Sequence, residues 1–326
     1  MQLSVVIVNY KVPYYLLQCL DSVTKAIKTL QAEIIVVDNA SNDNSQALVA
    51  RHFPHVIFMQ NTENVGFATA NNQAIAMAKG AFVLLLNPDT ILPEDALVTM
   101  LHFATHVPQF GALGVRMING KGVFLPESKR GVPTIANSLA KMLHCPALSK
   151  DSYYFTALQE HQSGAVPVLA GACMLLHKAV LGNTTYLDQR YFMYGEDIDL
   201  SYAITRAGYK NYYLPLTMLH YKGESTTYNA KYMRHFYGAM QLFYEKYYGK
   251  GLVNNALKLL TNLMVGIGHV KSMLSGKSAL TESLADKAVT TLSTQQYTYA
   301  QIIAYIEQHG AEERIQIVHP DMDFTL

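Results

Sequence analysis

The stretch Phe82-Val-Leu-Leu-Leu-Asn-Pro-Asp-Thr90 decides the fold of this chain, because five apolar residues run directly into a polar turn. The apolar run Phe82–Leu86 predicts a strand buried on both faces, as in a parallel sheet covered by helices. Ligands of such sheets bind beyond the carboxyl ends of the strands. Asn87 and Asp89 stand at that point and offer two oxygen ligands. The turn therefore predicts a divalent cation held against the phosphate oxygens of a nucleotide diphosphate.

Composition excludes several classes of protein. The chain has 326 residues, 50% of them hydrophobic, and a formal net charge of +1. Near-neutral charge argues against a dedicated nucleic-acid binder, and no nucleic-acid partner is expected. Three widely separated cysteines predict no disulfide framework and a reducing compartment. The N-terminus enters a strand at once, and no apolar run reaches about 18 residues, so we expect no leader, no spanning helix and a cytoplasmic protein.

Strands and helices alternate through the first hundred residues, and continuous apolar strands between amphipathic helices predict an α/β fold. We expect a mixed, mainly parallel sheet with helices on both faces. The pattern loosens over 111–163, where either a mobile loop over a site or a peripheral insertion is expected. It returns with a strand at Val166–Leu176 that is broken by Gly171, a helix at 196–207 and a strand at 211–215.

Three units are predicted along the chain: a catalytic domain over 1–235, a helical extension over 236–275, and a small α/β tail over 276–326. Within the extension, the stretch 252–273 is apolar on much of its circumference. It is interpreted either as a helix packed on the protein or as an interfacial helix in peripheral contact with the inner membrane face.

Polar residues also follow the second predicted strand, in Val36-Val-Asp-Asn-Ala-Ser-Asn-Asp43. A carboxylate at Asp38 can accept the imide N–H of uracil or thymine. Ser41 or Asn42 also suits a helix cap, and both interpretations can hold together. A further polar loop with Gly66 precedes a predicted helix, where backbone amides suit an anion or a base.

An acidic cluster opens the helix after Tyr194, in Gly-Glu-Asp-Ile-Asp199. Three carboxylates within four residues repel each other unless something compensates, and burial beside neighbouring acids raises one pKa towards the range of a general base. A solvated helix start that complements the helix dipole is the alternative interpretation. His220 follows the last predicted strand of the domain and is expected to return to the same sheet edge, where a neutral imidazole can complete a cation site.

These motifs occur in an order that resembles the family 2 glycosyltransferases of GT-A fold, and the bacterial rhamnosyltransferase-like branch in particular. The resemblance covers roughly residues 2–248 and rests on the following segments: SVVIVNYK (4–11), IIVVDNASNDNS (34–45), NVGFATANNQAI (64–75), LLLNPDT (84–90), GACMLL (171–176), YFMYGEDIDLSYAITRAGY (191–209) and LHYKGEST (219–226).

The resemblance implies an inverting transfer of a sugar from a nucleotide diphosphate, such as dTDP-rhamnose or a UDP-sugar, to a hydroxyl of a glycan or lipid-linked acceptor. Cell-surface polysaccharide synthesis and a Mg²⁺ or Mn²⁺ cofactor are implied with it. The nucleotide is assigned to six positions: Asp38, Asn39, Asn64, Gly66, Asn71 and Asn87. The metal is assigned to Asp89 and His220.

Catalysis is assigned by the same resemblance to Asp197, as the general base, and to its neighbour Glu196. Asp199 and Gly171 are assigned to the acceptor pocket. One departure from the family pattern concerns Asn87, which stands where the D-x-D motif has its first acid, so metal affinity is expected to be modest. A nucleotidyltransferase and an inactive carbohydrate- or nucleotide-binding module are the alternative functions.

Overall fold

The N-terminal β-branched run forms the centre of the sheet because both of its faces are covered. In the computed structural model, which describes residues 1–133, 154–183, 186–222, 230–249 and 288–326, every residue of strand β1 (Leu3–Asn9) is buried. Leu3, Val5 and Ile7 pack into one core, and Val6 and Val8 pack into another on the opposite face. This alternation is the period of two that a strand imposes on its side chains.

Fourteen strands are described. They are β1 (Leu3–Asn9), β2 (Ala32–Asp38), β3 (Ile57–Gln60), β4 (Phe82–Leu86), β5 (Thr90–Ile91), β6 (Phe110–Ile118), β7 (Lys129–Arg130), β8 (Gly164–Val166), β9 (Val168–Leu169), β10 (Cys173–His177), β11 (Lys210–His220), β12 (Val289–Ser293), β13 (Arg314–His319) and β14 (Phe324–Thr325).

Eight α-helices connect or follow these strands within the described ranges. They are α1 (Pro13–Ala26), α2 (Ser45–His52), α3 (Phe67–Met77), α4 (Ala96–His106), α5 (Lys178–Asn183), α6 (Glu196–Arg206), α7 (Ala230–Tyr248) and α8 (Tyr299–His309). One core packs α1, α2 and α4 against the sheet, and the other packs α3, α5 and α6 against the opposite face. None of the helices that the structure describes is both long and apolar enough to cross a membrane.

The main sheet has nine strands in the order β3-β2-β1-β4-β10-β6-β11-β5, with β8 paired to β11. Strands β1 to β4 are mutually parallel, as is the pair of β6 and β11, whereas β10 runs antiparallel to both of its neighbours. The predicted mixed α/β sheet with helices on both faces is confirmed.

The segment predicted as a strand over Val166–Leu176 that is broken by Gly171 is divided among β8, β9 and β10. Strand β9 leaves the main sheet and pairs with β7 in a separate two-stranded ribbon. Gly171 lies between β9 and β10, where a Cβ atom would stand 3.1 Å from the Cβ of Asp197. The apolar run is thus broken because its centre turns towards helix α6.

Strand β11 continues well beyond the predicted 211–215. Its pairing with β6 shifts register between Leu214 and Thr217, around Pro215, and then resumes to Leu219. Proline has no N–H to donate to a ladder, so an irregularity at this point is expected. The extension matters because it carries His220 to the edge strand β5, where His220 pairs with Thr90.

The C-terminal residues 288–326 pack on the main sheet. Ile302, Ile303 and Ile306 of α8 share a core with Ile91 of β5 and Leu219 of β11. The predicted boundary at 235/236 falls within helix α7, and the predicted helix over 252–273 lies outside the described residues.

Candidate active site

A cleft of 310 Å³ opens at the carboxyl ends of strands β1 and β4. Eight of the predicted site residues line it: Asn39, Asn64, Asn87, Asp89, Gly171, Glu196, Asp197 and His220. The cleft lies at the sheet edge where the strand order predicts ligand binding in an α/β fold. The tertiary structure therefore brings residues from most of the predicted motifs into one cavity.

Asp89 and His220 form a pair on the floor of the cleft. His220 Nε2 lies 3.5 Å from Asp89 Oδ1, and the two side chains are 11% and 4% exposed. The N–H of Tyr221 donates to the Asp89 backbone oxygen at 3.0 Å, which ties the two chain segments together. The Thr90 hydroxyl closes the turn by donating to the carbonyl of Asn87 at 2.7 Å.

The donor set at this pair fits a small divalent cation. A carboxylate oxygen, an imidazole nitrogen and the amide of Asn87 are all ligand types that Mg²⁺ or Mn²⁺ accepts. His220 Nδ1 is buried and has no hydrogen-bond partner among the described residues. No cluster of three or more His, Cys, Asp or Glu side chains with metal-binding geometry is found in the described part of the chain. Such a cation would thus take remaining ligands from phosphate and water.

Asn39 organises the opposite wall of the cleft. Its side chain accepts from the N–H of Val65 at 3.0 Å and donates to Asn64 Oδ1 at 2.9 Å. Asn64 Oδ1 in turn accepts from the N–H of Gly66 at 3.0 Å. Gly66 has φ 87° and approaches the Phe192 backbone so closely that a Cβ would stand 2.7 Å from its oxygen. A glycine is required here by both the conformation and the contact.

The carboxylate of Asp38 lies behind this wall, outside the set of cleft-lining residues. It accepts from Asn9 Nδ2 at 2.7 Å and from the N–H of Ser41 at 3.0 Å. Asn71 is also buried, and its side chain donates to the carbonyl of Phe67 at 2.9 Å within helix α3. Gly66 and Asp199 are likewise absent from the cleft lining.

Asp197 is held by donors on both of its carboxylate oxygens. Oδ2 accepts from the N–H of Gly171 at 3.0 Å and from the guanidinium of Arg130. Oδ1 accepts from the N–H of Ile198 at 2.8 Å. The side chain is 14% exposed and faces the cleft, so its orientation is determined by the protein rather than by solvent.

The three acids at the start of helix α6 are compensated in three different ways. Asp197 pairs with Arg130, and Asp199 pairs with Lys246 of helix α7 at 2.8 Å. Burial, and then the charge of Asp197, raise the pKa of Glu196 to about 8, which favours its neutral form. Glu196 Oε2 is buried without a hydrogen-bond partner in the described structure. The two ion pairs and the raised pKa of Glu196 together offset the repulsion that the sequence predicts.

Sequence reasoning missed three charged residues of the cleft wall: Glu127, Arg130 and Lys222. The ammonium of Lys222 contacts the carboxylate of Glu127. Burial raises the pKa of Glu127, but the hydrogen bond and the positive charge of Lys222 outweigh burial, so the pKa is lowered overall. Arg130 and Glu127 lie in the irregular region after Gly111, which shows no periodic pattern. Only Lys222 offered a signal in the sequence, because it lies two residues after His220, a residue already identified as a candidate ligand.

Comparison with known proteins identifies the relatives of this chain. The model of glycosyl transferase family 2 matches residues 4–184. An N-acetylglucosaminyl-diphospho-decaprenol L-rhamnosyltransferase of Mycobacterium tuberculosis is 29% identical over 239 residues, which cover 69% of this chain and 77% of that protein. A poly-beta-1,6-N-acetyl-D-glucosamine synthase of Staphylococcus aureus is 31% identical over 196 residues, which cover 59% of this chain and only 43% of that protein.

Solved structures show the same fold. The mannosyltransferase PcManGT from Pyrobaculum calidifontis, in complex with GDP-Man and Mn²⁺, superposes with a TM-score of 0.53 at 16% identity, covering 94% of this chain and 84% of that one. TarS of S. aureus superposes with a TM-score of 0.51 at 17% identity, covering 88% of this chain and 46% of that one.

The sheet and the solved structures together define the GT-A fold, and the family match defines the class of enzyme as a glycosyltransferase. The chain belongs to glycosyl transferase family 2, as the match over 4–184 shows.

Proposed function

We propose that this enzyme transfers a sugar, with inversion, from a nucleotide diphosphate to a hydroxyl of a glycan or lipid-linked acceptor. The observation that supports this most directly is the shared cleft of Asp89, His220 and Asp197. A cation-binding pair and a fixed carboxylate in one cavity supply the two functions that such a transfer needs. One stabilises the leaving diphosphate, and the other removes the acceptor's proton.

The donor binds, in this proposal, with its diphosphate against Asp89 and His220 and its base along the wall built by Asn39 and Asn64. Mg²⁺ or Mn²⁺ bound at Asp89 and His220 supplies Lewis-acid stabilisation of the negative charge on the leaving diphosphate. Asp38 supports this wall by holding Ser41, and a direct contact of its carboxylate with the base stays a prediction.

Asp197 acts as the general base. The O–H bond of the acceptor breaks, its proton passes to Asp197, and its oxygen forms a bond to the anomeric carbon from the face opposite the diphosphate. The bond between that carbon and the phosphate oxygen breaks, and its electron pair leaves on the diphosphate. A positioned base contributes about 10²- to 10⁴-fold to the rate.

Rhamnose on a nucleoside diphosphate is the first donor to test, because the relative from M. tuberculosis is named for rhamnosyl transfer to a diphospho-decaprenol acceptor. A UDP-sugar, the other donor that the family resemblance implies, is the second. Cell-surface polysaccharide synthesis fits the names of both relatives. A lipid-linked acceptor would bring the enzyme to a membrane face, and a peripheral contact through 252–273 stays a prediction.

A thermal-unfolding panel tests the proposal. The protein is heated with dTDP, UDP, GDP and CDP, each with and without Mn²⁺. A nucleotide at about 100 times its Kd stabilises by about 2.7 kcal/mol, so the cognate base is expected to raise the melting temperature in a Mn²⁺-dependent manner. Failure of all four nucleotides would contradict the proposed donor class. The nucleotide identified then selects the sugar donors for transfer assays.

A further inference from the structure

Arg130 makes a buried contact with Asp197. The residue is 8% exposed and lines the cleft. Its Nη2 donates to Asp197 Oδ2 and, at 2.8 Å, to the carbonyl of Leu169. When one partner of a buried Arg–carboxylate pair is removed, the other is left as an uncompensated buried charge, so each residue depends on the other for its charge balance.

The ribbon of β7 and β9 positions Arg130 for this contact. Arg130 of β7 pairs with Val168 of β9 in an antiparallel register. Gly171, just beyond β9, donates its N–H to the same oxygen of Asp197 that Arg130 contacts. The ribbon is anchored on helix α6 because the N–H of Leu169 donates to Ser201 Oγ at 3.2 Å. Arg130 of the ribbon and Gly171, just beyond the ribbon, thus supply two donors to Asp197 Oδ2.

The two oxygens of Asp197 are therefore not equivalent. Oδ2 is engaged by the guanidinium of Arg130 and a backbone N–H, whereas Oδ1 accepts only the N–H of Ile198 within the described residues. The two donors on Oδ2 fix the orientation of the carboxylate. The remaining lone pair of Oδ1 is the better site for a proton from the acceptor.

We propose that Arg130 is the positioning residue for the general base, holding the carboxylate of Asp197 oriented so that Oδ1 receives the acceptor's proton. This inference rests on the proposed function. The acceptor's O–H electron pair forms the bond to the anomeric carbon, and the diphosphate leaves with the pair of the broken bond. Arg130 itself neither gains nor loses a proton, and it acts on the reaction through Asp197.

The test compares Arg130→Ala and Arg130→Lys with Arg51→Ala, which replaces an exposed arginine of helix α2 as a control. We expect Arg130→Ala to lower kcat by about 10²-fold and to leave the donor KM nearly unchanged, because the lost interaction acts in the chemical step. Arg130→Lys keeps the charge but loses the planar fork, so an intermediate kcat is expected. Arg51→Ala is expected to match the unaltered enzyme.

Added guanidinium chloride, at concentrations that leave the protein folded, supplies a second readout. It is expected to restore part of the kcat of Arg130→Ala and nothing in Asp197→Asn. If Arg130 acts through Asp197, adding Arg130→Ala to Asp197→Asn should lower the residual rate by less than about threefold, as for residues that act as a unit. If Arg130→Ala does not fold, Arg130→Lys carries the same comparison.

Two results would overturn the assignment. A raised donor KM with unchanged kcat in the Arg130 variants would mean that Arg130 binds the diphosphate instead. Full activity of Arg130→Ala would mean that the contact serves no catalytic purpose. Absence of sugar transfer by the unaltered enzyme with every nucleotide sugar would instead refute the proposed function, and this inference with it, so the two failures are distinguishable.

Discussion

His220 meets Asp89 because β11 pairs antiparallel with the two-residue strand β5, which places His220 opposite Thr90. The short strand begins directly after Asp89, and its second residue, Ile91, packs with Leu219 in the core shared with the C-terminal helix α8. The geometry of the proposed cation-binding pair therefore depends on an edge strand that is covered by residues 288–326.

Replacing either member of this pair should remove the metal-dependent part of nucleotide binding. In Asp89→Ala and His220→Ala, the cation loses one of its protein ligands, and the diphosphate loses the charge that the cation brings. Isothermal titration with the cognate nucleotide, with and without Mn²⁺, measures the effect. His161→Ala, which alters an exposed histidine, is the control. Equal affinity of Asp89→Ala with and without metal, at the level of the unaltered enzyme with metal, would refute the assignment.

Asp197→Asn should keep nucleotide binding and nearly abolish transfer. The amide is close in shape to the carboxylate but cannot take the acceptor's proton, so a rate loss of about 10²- to 10⁴-fold is expected. The measurement is kcat for transfer together with the nucleotide-dependent shift in melting temperature. Normal turnover by this variant would show that another group is the base.

Glu196→Gln should flatten the dependence of stability on pH. Burial raises the pKa of Glu196 to about 8 in the folded protein, so the folded state keeps a proton that the unfolded chain releases from about pH 4.5 upwards. The unfolded state then binds fewer protons, and stability falls as pH rises through this window. Melting temperatures from pH 5 to 9 measure the slope.

The glutamine variant lacks this ionisation and should lose less stability between pH 5 and 8 than the unaltered protein. Glu63→Gln, at an exposed position, is the matched control and should follow the unaltered protein. Parallel curves for Glu196→Gln and the unaltered protein would show that Glu196 is ionised throughout the range.

Gly171→Ala should impair catalysis more than folding. The added Cβ would lie 3.1 Å from the Cβ of Asp197, which displaces the carboxylate from its donors. Small displacements of a catalytic group can cost up to about 10²-fold in rate, so we expect a fall in kcat of roughly 10-fold or more. Gly182→Ala, where no atom lies within 4 Å of the added carbon, is the control. Unchanged kcat in Gly171→Ala would show that Asp197 tolerates the shift.

Ile302→Ala should destabilise the catalytic domain as well as the tail. Ile302 is fully buried in the core that includes Ile91 and Leu219, and such a truncation costs about 2–5 kcal/mol. Denaturant unfolding measures the loss, with Val289→Ala at an exposed tail position as the control. A loss below about 0.5 kcal/mol, the usual limit for surface changes, would show that the tail does not support the sheet.

Apart from the two-residue strand β5, the strands and helices up to residue 106 were predictable because each carries a regular apolar period. The start of helix α6 was likewise evident, since Gly195 and the acids that follow it interrupt the aromatic segment before them. Strand β5 was not predicted, because two residues carry no period. The break of 166–176 at Gly171 was predicted, but the departure of β9 into a separate ribbon was not, because a continuous apolar run does not reveal where its chain leaves one sheet for another.

The sequence by itself determined the class of sheet and the strand end that carries Asn87 and Asp89. It also determined that a helix begins at the acidic residues Glu196 and Asp197. All of these features follow from local pattern. The sequence predicted that His220 returns to the sheet edge of Asp89, but only the tertiary structure gave the contact between them and revealed that Arg130 joins Asp197. Both contacts link residues far apart in the chain through strand pairings, β11 with β5 and β7 with β9. Pairing register is set by packing across the whole sheet, and no local pattern encodes it.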